Sequence, residues 1–563
     1  MFALSSYAQQ TGLSGDETTV DSIRIKQLYH QALEEVSIHD FINAKKHFTQ
    51  IINLDSTHDE ALFGLAKIYF SEKKFEETAD MAERATKIDP QNLTYWIALT
   101  DIYKTTKDYS ALLPVLDRII QLKPEEINFY LDKAYTFVLN NEYDQALALY
   151  NKIEKKFGDD ERVYSGRKLV YMKQEKPQKA IQEIKGYIQK NPDLSKGYIM
   201  LATLYLDLKE PKESLSILEQ VEDSFPDDVY IPLTKADAYQ QLKQDKDVLI
   251  QLKKAFANST FDIEPKIRIL LNVFNDFPKE QALVIADALC VVLIDTHPEK
   301  ANAYALYGDI LLQQRKAEEA LLQFKKALQI DPKLDMVREQ VLQTEVALGK
   351  YLEAQTDGKN TLIEMPNRPV ALLFTGYAFL LDKKYEEARP YLEGALNNAD
   401  PANSQLLLQI YSSLGDLYHA LAMHDVSDIA YEEALAIDSN NSYILNNYAY
   451  YLALRKENLA KAASYSKKSN EINPGNSSYQ DTYAWVLFQQ GKYAEALNWI
   501  KEALESSENV SATLLEHHGD ILFKLGDQAA ALNQWTKARK LAIANGEDVD
   551  KLNKKINNRT YVE

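Results

Sequence analysis

The chain has 563 residues, 45% apolar and 26% charged, with 83 acidic against 64 basic side chains and a net charge of −19. An acidic balance argues against nucleic acid as the main partner, since phosphate binding needs a basic face, and it weakly favours a basic partner. A single cysteine, Cys290, excludes an internal disulfide and a cysteine metal cluster; no apolar run is long enough for a membrane span.

In chain order, the first residues read Met1-Phe2-Ala3-Leu4-Ser5-Ser6-Tyr7-Ala8. Ser6-Tyr7-Ala8 matches the small–x–small end of a secretory signal, so residues 1–24 are expected to hold a signal remnant and a flexible polar lead-in. This points to a periplasmic or secreted protein, with the cytoplasm as the alternative.

From there the chain is periodic. Pro90, Pro124, Pro192, Pro226, Pro298, Pro332 and Pro366 are separated mostly by 34 residues or twice that, and Pro474 continues the series after a longer gap. Residues 59–92 set the frame. Leu62, Leu65 and Tyr69 are large residues at positions 4, 7 and 11 of a first helix. Ala66 is small at position 8, and alanines recur at position 20 of other repeats, as in Ala44, Ala146 and Ala180, where two helices approach closely; Pro90 ends the second helix. Stepping this frame places starts at Ile25, Asp59, Leu93, Ile127, Glu161, Ser195, Val229, Ile267, Ala301, Asp335, Pro369, Leu408, Ser442, Ser477 and Ala512. Fifteen helix–turn–helix units result. The frame breaks by four residues at 258–266, by five at 397–405, and by one each at 455–458 and 507–511. Either these breaks bend the array or they lengthen surface turns. The expected division is an N-terminal lobe, 25–266, and a C-terminal lobe, 267–545. Repeat ten departs furthest from the pattern, with Arg338, Glu345, Gly358 and Thr361 where apolar or small residues belong. In the segment 546–563, Val549, Leu552 and Ile556 share one face of a short helix that caps the last apolar surface.

These ladders resemble the tetratricopeptide repeat family, with its 34-residue period. The resemblance implies an all-α fold, a right-handed α-solenoid superhelix, and a role in protein–protein interaction. A narrower resemblance lies at the C-terminal end. Asn446–Leu452, Tyr479–Phe488, Glu516–Leu522 and Trp535 are similar to a block in bacterial envelope proteins, some of them adaptors of a C-terminal processing protease and others parts of export machinery. Tyr448 and Tyr483 depart from that pattern, which prefers leucine there, and no lipid-bearing cysteine follows Ala8.

Catalytic signatures are missing. There is no Gly-rich phosphate loop, no G-x-S-x-G and no H-E-x-x-H, so an enzyme is not expected, and no cofactor or metal is implied. Cys290 reads as a buried small hydrophobe, and His517 and His518 as packed histidines. A binding surface is expected instead on the first helices, at positions 2, 5, 9 and 12. Repeats one to four offer Tyr29, Phe63, Phe70, Leu131 and Tyr135. Repeat eleven offers Tyr377. Repeats thirteen to fifteen offer Tyr443, Asn446, Tyr450, Asp481, Trp485, Phe488, Asp520 and Phe523. Aromatics rimmed by carboxylates and amides suit a protein or peptide partner. The alternative is that neighbouring turns or the capping helix cover these side chains. A receptor for a partner's terminal carboxylate is disfavoured, since Arg162 and Lys196 at position 2 lack the companions such a clamp needs.

Overall fold

The computed structural model describes residues 20–562, and the Ser6–Ala8 motif lies outside them. Among the described residues the chain is all-helical, with fifteen helix pairs and a final short helix. Eleven first helices begin at the residue expected from the 34-residue frame, from Asp59–Ser71 to Ala512–Lys524. The chain divides after Asn258 into two compact units, ahead of the expected boundary at 266/267. Seven helix pairs lie in the first, and eight pairs with the short helix lie in the second.

The turn chemistry explains the regularity. Asp89 accepts from the Gln91 amide at 3.1 Å, Asp331 from Lys333 at 2.9 Å and Asp438 from Asn440 at 3.0 Å, forming turns as each second helix ends. Asn92, Asn441 and Asn476 then cap the next first helix through their side-chain oxygens. Between the two helices of a pair, position 15 adopts a left-handed backbone in every repeat except the eighth, from His39 (φ 63°) to Gly526 (φ 94°). Position 8 is small because position 24 of the same repeat lies over it. A Cβ on Gly308 would meet the Phe324 ring at 2.4 Å, and one on Gly519 would meet Trp535 at 2.5 Å.

Four helix starts differ from expectation. The first helix is Val20–Ser37, beginning five residues ahead of Ile25, and that of repeat seven is Tyr230–Gln241, one residue after Val229. Repeat twelve opens with the long helix Ser404–Ala420, which absorbs residues assigned to an insertion before Leu408. Repeat eight is a correction of register. Its helices are Ile263–Asp276 and Lys279–Thr296, and the second has 18 residues against the usual 14. The extra residues therefore lengthen that second helix rather than the turn at 258–266. Lys266 consequently occupies position 4, fully buried, with its Nζ 2.8 Å from His297 Nε2. Burial pushes Lys266 down to about 8.

Two of the atypical residues of repeat ten, Arg338 and Glu345, are paired with opposite charges. Arg338 donates to Glu364 at 2.6 Å and to the Pro332 carbonyl at 2.8 Å. Glu345 has no exposed surface and lies 2.5 Å from Lys325, which also faces Asp357 at 3.2 Å. Burial pushes the Glu345 carboxyl up to about 7, against the pull of Lys325. A carboxyl raised in the folded state supports folding below its ordinary range and loses that contribution as pH rises through 7. Glu345→Gln is therefore expected to stabilise by about 1–2 kcal/mol at pH 8, with the gain closing by pH 5. Urea unfolding at the two pH values checks this.

The capping helix is Asp550–Asn558. Leu552 is buried against Trp535, Ala538 and Ala542 of the last pair, with Val549 and Ile556 beside it.

Candidate functional site: the inner face of the first helices

Within each unit, first helices of successive repeats touch each other as well as their own partners, as in Pro369–Leu381, Ser404–Ala420 and Ser442–Arg455. By the frame, their positions 2, 5, 9 and 12 are those expected on the inner face. Three cavities open along it, and each gathers residues predicted from sequence.

In the first unit, Phe63 and Phe70 line an apolar cavity of about 260 Å³ with Ala66, Lys67, Ala98 and Ile102. Lys67 Nζ sits 4.5 Å from the Phe63 ring centroid, and burial lowers its pKa. The other predicted residues of this unit lie apart from the cavity. Tyr29 packs against Phe48 and His58 at 6.1 and 5.4 Å, and burial pushes its hydroxyl up to about 12. Leu131 is half-buried beside the Tyr130–Ala134 core, while Tyr135 is exposed.

In the second unit, Tyr377 and Tyr443 line a cavity of about 290 Å³ with Phe374, Gln409, Ser412 and Ser413. Beside it lies Asp416, at position 9 of repeat twelve, which keeps part of its surface exposed. Its carboxylate accepts from the hydroxyls of Tyr431 at 2.5 Å, Tyr451 at 3.2 Å and Tyr443 at 3.5 Å, and from Asn447 Nδ2 at 3.5 Å. Burial pushes the Asp416 carboxyl above its ordinary range, and these donors pull the other way. Sequence reasoning missed Asp416. Repeat twelve has no aromatic at positions 2, 5, 9 and 12, and only the carboxylate at position 9 signalled it.

A third cavity, about 190 Å³, is polar. Asn446, Tyr450 and Asp481 line it together with Ser478, Thr482 and Thr513. Asp481 accepts from His517 Nδ1 at 2.8 Å, and the His517 ring stacks 4.0 Å over Trp485.

Three predicted groove residues are corrected. Trp485 and Phe488, each 4% exposed, stack on one another at 4.8 Å, and Tyr561 packs on Phe488 at 5.7 Å. Asp520 is fully buried, accepting from Lys555 Nζ at 2.6 and 2.7 Å and from Trp535 Nε1 at 2.9 Å. The capping helix covers Asp520 and the tail covers Phe488, while His517 stacks on Trp485, so these positions do not form an open groove. Phe523 is half-buried against Trp535 at 5.7 Å. Cys290 and both histidines are buried, as expected. Among the described residues no cluster of three metal-ligating side chains occurs, and no helix is long and apolar enough to cross a membrane.

Family models described as tetratricopeptide repeat match residues 59–92, 292–335, 408–441 and 481–518. These four segments carry the repeat, and the fifteen helix pairs continue the same helix–turn–helix unit along the described residues. The chain carries tetratricopeptide repeats. A TPR repeat-containing protein of Pseudomonas aeruginosa, PA4667, is 26% identical over 202 residues, which cover 35% of this chain and 33% of that protein. The match thus spans about a third of that relative's length. Among solved structures, the anaphase-promoting-complex hetero-tetramer Cut9–Hcn1 is similar over 83% of this chain and 90% of its own, at 14% identity and a TM-score of 0.37. Yeast Tom70 is similar over 74% of this chain and 92% of its own, at 16% identity and a TM-score of 0.33. Tetratricopeptide repeats form a protein-interaction scaffold, and the inner face is where such a scaffold offers continuous surface.

Proposed function

We propose that this tetratricopeptide-repeat chain is a non-catalytic scaffold of the bacterial cell envelope that holds a partner protein or peptide against its inner face. The observation that carries the reading is the convergence of Tyr377, Tyr443, Asn446, Tyr450 and Asp481 on two neighbouring cavities in repeats eleven to fifteen. Aromatic faces supply contact area at low entropic cost, and the amide and carboxylates supply orientation. Support for the envelope comes from the block at Asn446–Leu452, Tyr479–Phe488 and Glu516–Leu522, and from Ser6-Tyr7-Ala8. The same block favours a second reading within this class, an adaptor that delivers substrates to a C-terminal processing protease; an export-machine component is the further variant.

Tyr443 and Tyr450 are the residues to change, because neither belongs to the fully buried core. Tyr443→Ala with Tyr450→Ala is expected to remove at least one partner captured by crosslinking from the envelope fraction of the native cells, with the helical circular dichroism unchanged. Retention of every partner by the double variant would sink the inner-face reading. Fractionation tests the location separately, and recovery of the protein with cytoplasmic markers would overturn it.

A further inference from the structure

A carboxylate held among aromatic rings can keep its charge on hydrogen bonds from neutral hydroxyls, and a cation beside it would stabilise that charge further. Asp416 is in that position. Its four donors, from Tyr431, Tyr443, Tyr451 and Asn447, are all neutral, and among the described residues no lysine or arginine forms an ion pair with it. The cations of the next repeat are engaged elsewhere: Arg455 pairs with Asp428 at 2.6 Å, and Lys461 pairs with Glu432. Asp416 also sits one helical turn beyond Ser412, which lines the 290 Å³ cavity, so the two share a helix face. Tyr443 belongs to both sites. Its ring lines the cavity and its hydroxyl points to Asp416 Oδ2.

The chemistry of this arrangement is selective. Phe374, Tyr377 and Tyr443 present aromatic surface suited to an aliphatic stem, and the ring faces attract a cation. The Asp416 carboxylate lies beside the cavity, next to the Tyr443 hydroxyl, where it would reward a positive head group and penalise a neutral or anionic one. A metal ion is a poor occupant, because a single carboxylate offers too few ligands. The chain's net charge of −19 draws a basic segment toward it.

We propose that the cavity formed by repeats eleven to thirteen takes a lysine or arginine side chain of the partner segment, its stem between Tyr377 and Tyr443 and its charged head against Asp416. The inference rests on the inner-face reading and names the partner chemistry for one of its cavities.

The test uses the full chain and an array of random 12-residue peptides. Binding peptides should be enriched in lysine and arginine. For the tightest binder, replacing its key lysine or arginine by norleucine, which keeps a stem and removes the charge, should weaken binding about tenfold. On Asp416→Asn the same replacement should weaken binding much less, about threefold at most, since only the ring faces then still attract the charge. If Asp416→Asn loses helicity, the parent chain is tested instead with the peptide's key residue changed to glutamate, which should weaken binding more than norleucine does because it sets a second carboxylate against Asp416; glutamate no worse than norleucine would count against the pocket. Peptides that bind with no basic preference, or a norleucine effect of equal size on the variant, would overturn the basic-pocket assignment and leave the inner face standing. If no peptide binds at all, the inner-face reading falls and the assignment falls with it.

Discussion

Lys555→Met is expected to destabilise the C-terminal end of the array by about 3–5 kcal/mol, the cost of breaking a buried ion pair from one side. Lys555 has no exposed surface, and its Nζ lies 2.6 and 2.7 Å from the two oxygens of Asp520 and 2.6 Å from Glu516. Methionine keeps most of the stem and removes only the charge. Asp520, itself fully buried, is then left with the Trp535 indole as its remaining hydrogen-bond donor. Adding Asp520→Asn should recover much of the loss, because the stranded charge is gone. Hydrogen exchange should localise the opening to the capping helix and last pair, with Trp535 fluorescence following it. A Lys555→Met variant as stable as the parent within experimental error would mean that the pair is neutral to folding and that apolar packing alone seats the cap.

The cap also shows where the sequence stops being informative. Position 9 of repeat fifteen is an inner-face position by the frame, which made Asp520 look like a groove residue. The groups that cover it come from outside the frame. Lys555 lies on the capping helix, and Tyr561, which covers Phe488 in the same way, lies beyond that helix. A periodic pattern reports which face a side chain is on, and it carries no information about a non-periodic segment folding back. Asp416 is the converse case. Its value comes from Tyr431, Tyr443 and Tyr451 converging from two repeats, which no reading of repeat twelve by itself reveals.

Register followed the same logic. Single-residue insertions at 455–458 and 507–511 lie in turns, where they displace every later residue by a third of a helical turn. They were therefore visible. The four extra residues of repeat eight lie inside the helix Lys279–Thr296. Four residues make about one turn, so the apolar stripe continues through them almost unrotated. Pro298 fixes the frame only from the far side, so the sequence pattern places the extra turn in the preceding loop.

Phe324→Ala should cost about 3–5 kcal/mol and is the sharpest test of the packing rule behind the frame. Phe324 sits at position 24 of repeat nine with 1% exposure, directly over Gly308 at position 8. The glycine exists to admit the ring, since any Cβ there would lie 2.4 Å from it. The two positions should therefore be strongly non-additive. Gly308→Ala in the parent forces the ring aside and should cost about 1–3 kcal/mol. In the Phe324→Leu background the smaller side chain leaves room, and alanine's better helix propensity, worth about 1 kcal/mol over glycine, should make the same change neutral or stabilising. Urea unfolding of the two singles and the double gives the coupling. If Gly308→Ala costs the same in both backgrounds, position 8 is small for a reason other than the ring at position 24, and the small–large pairing that ties each first helix to its partner is not what sets their approach.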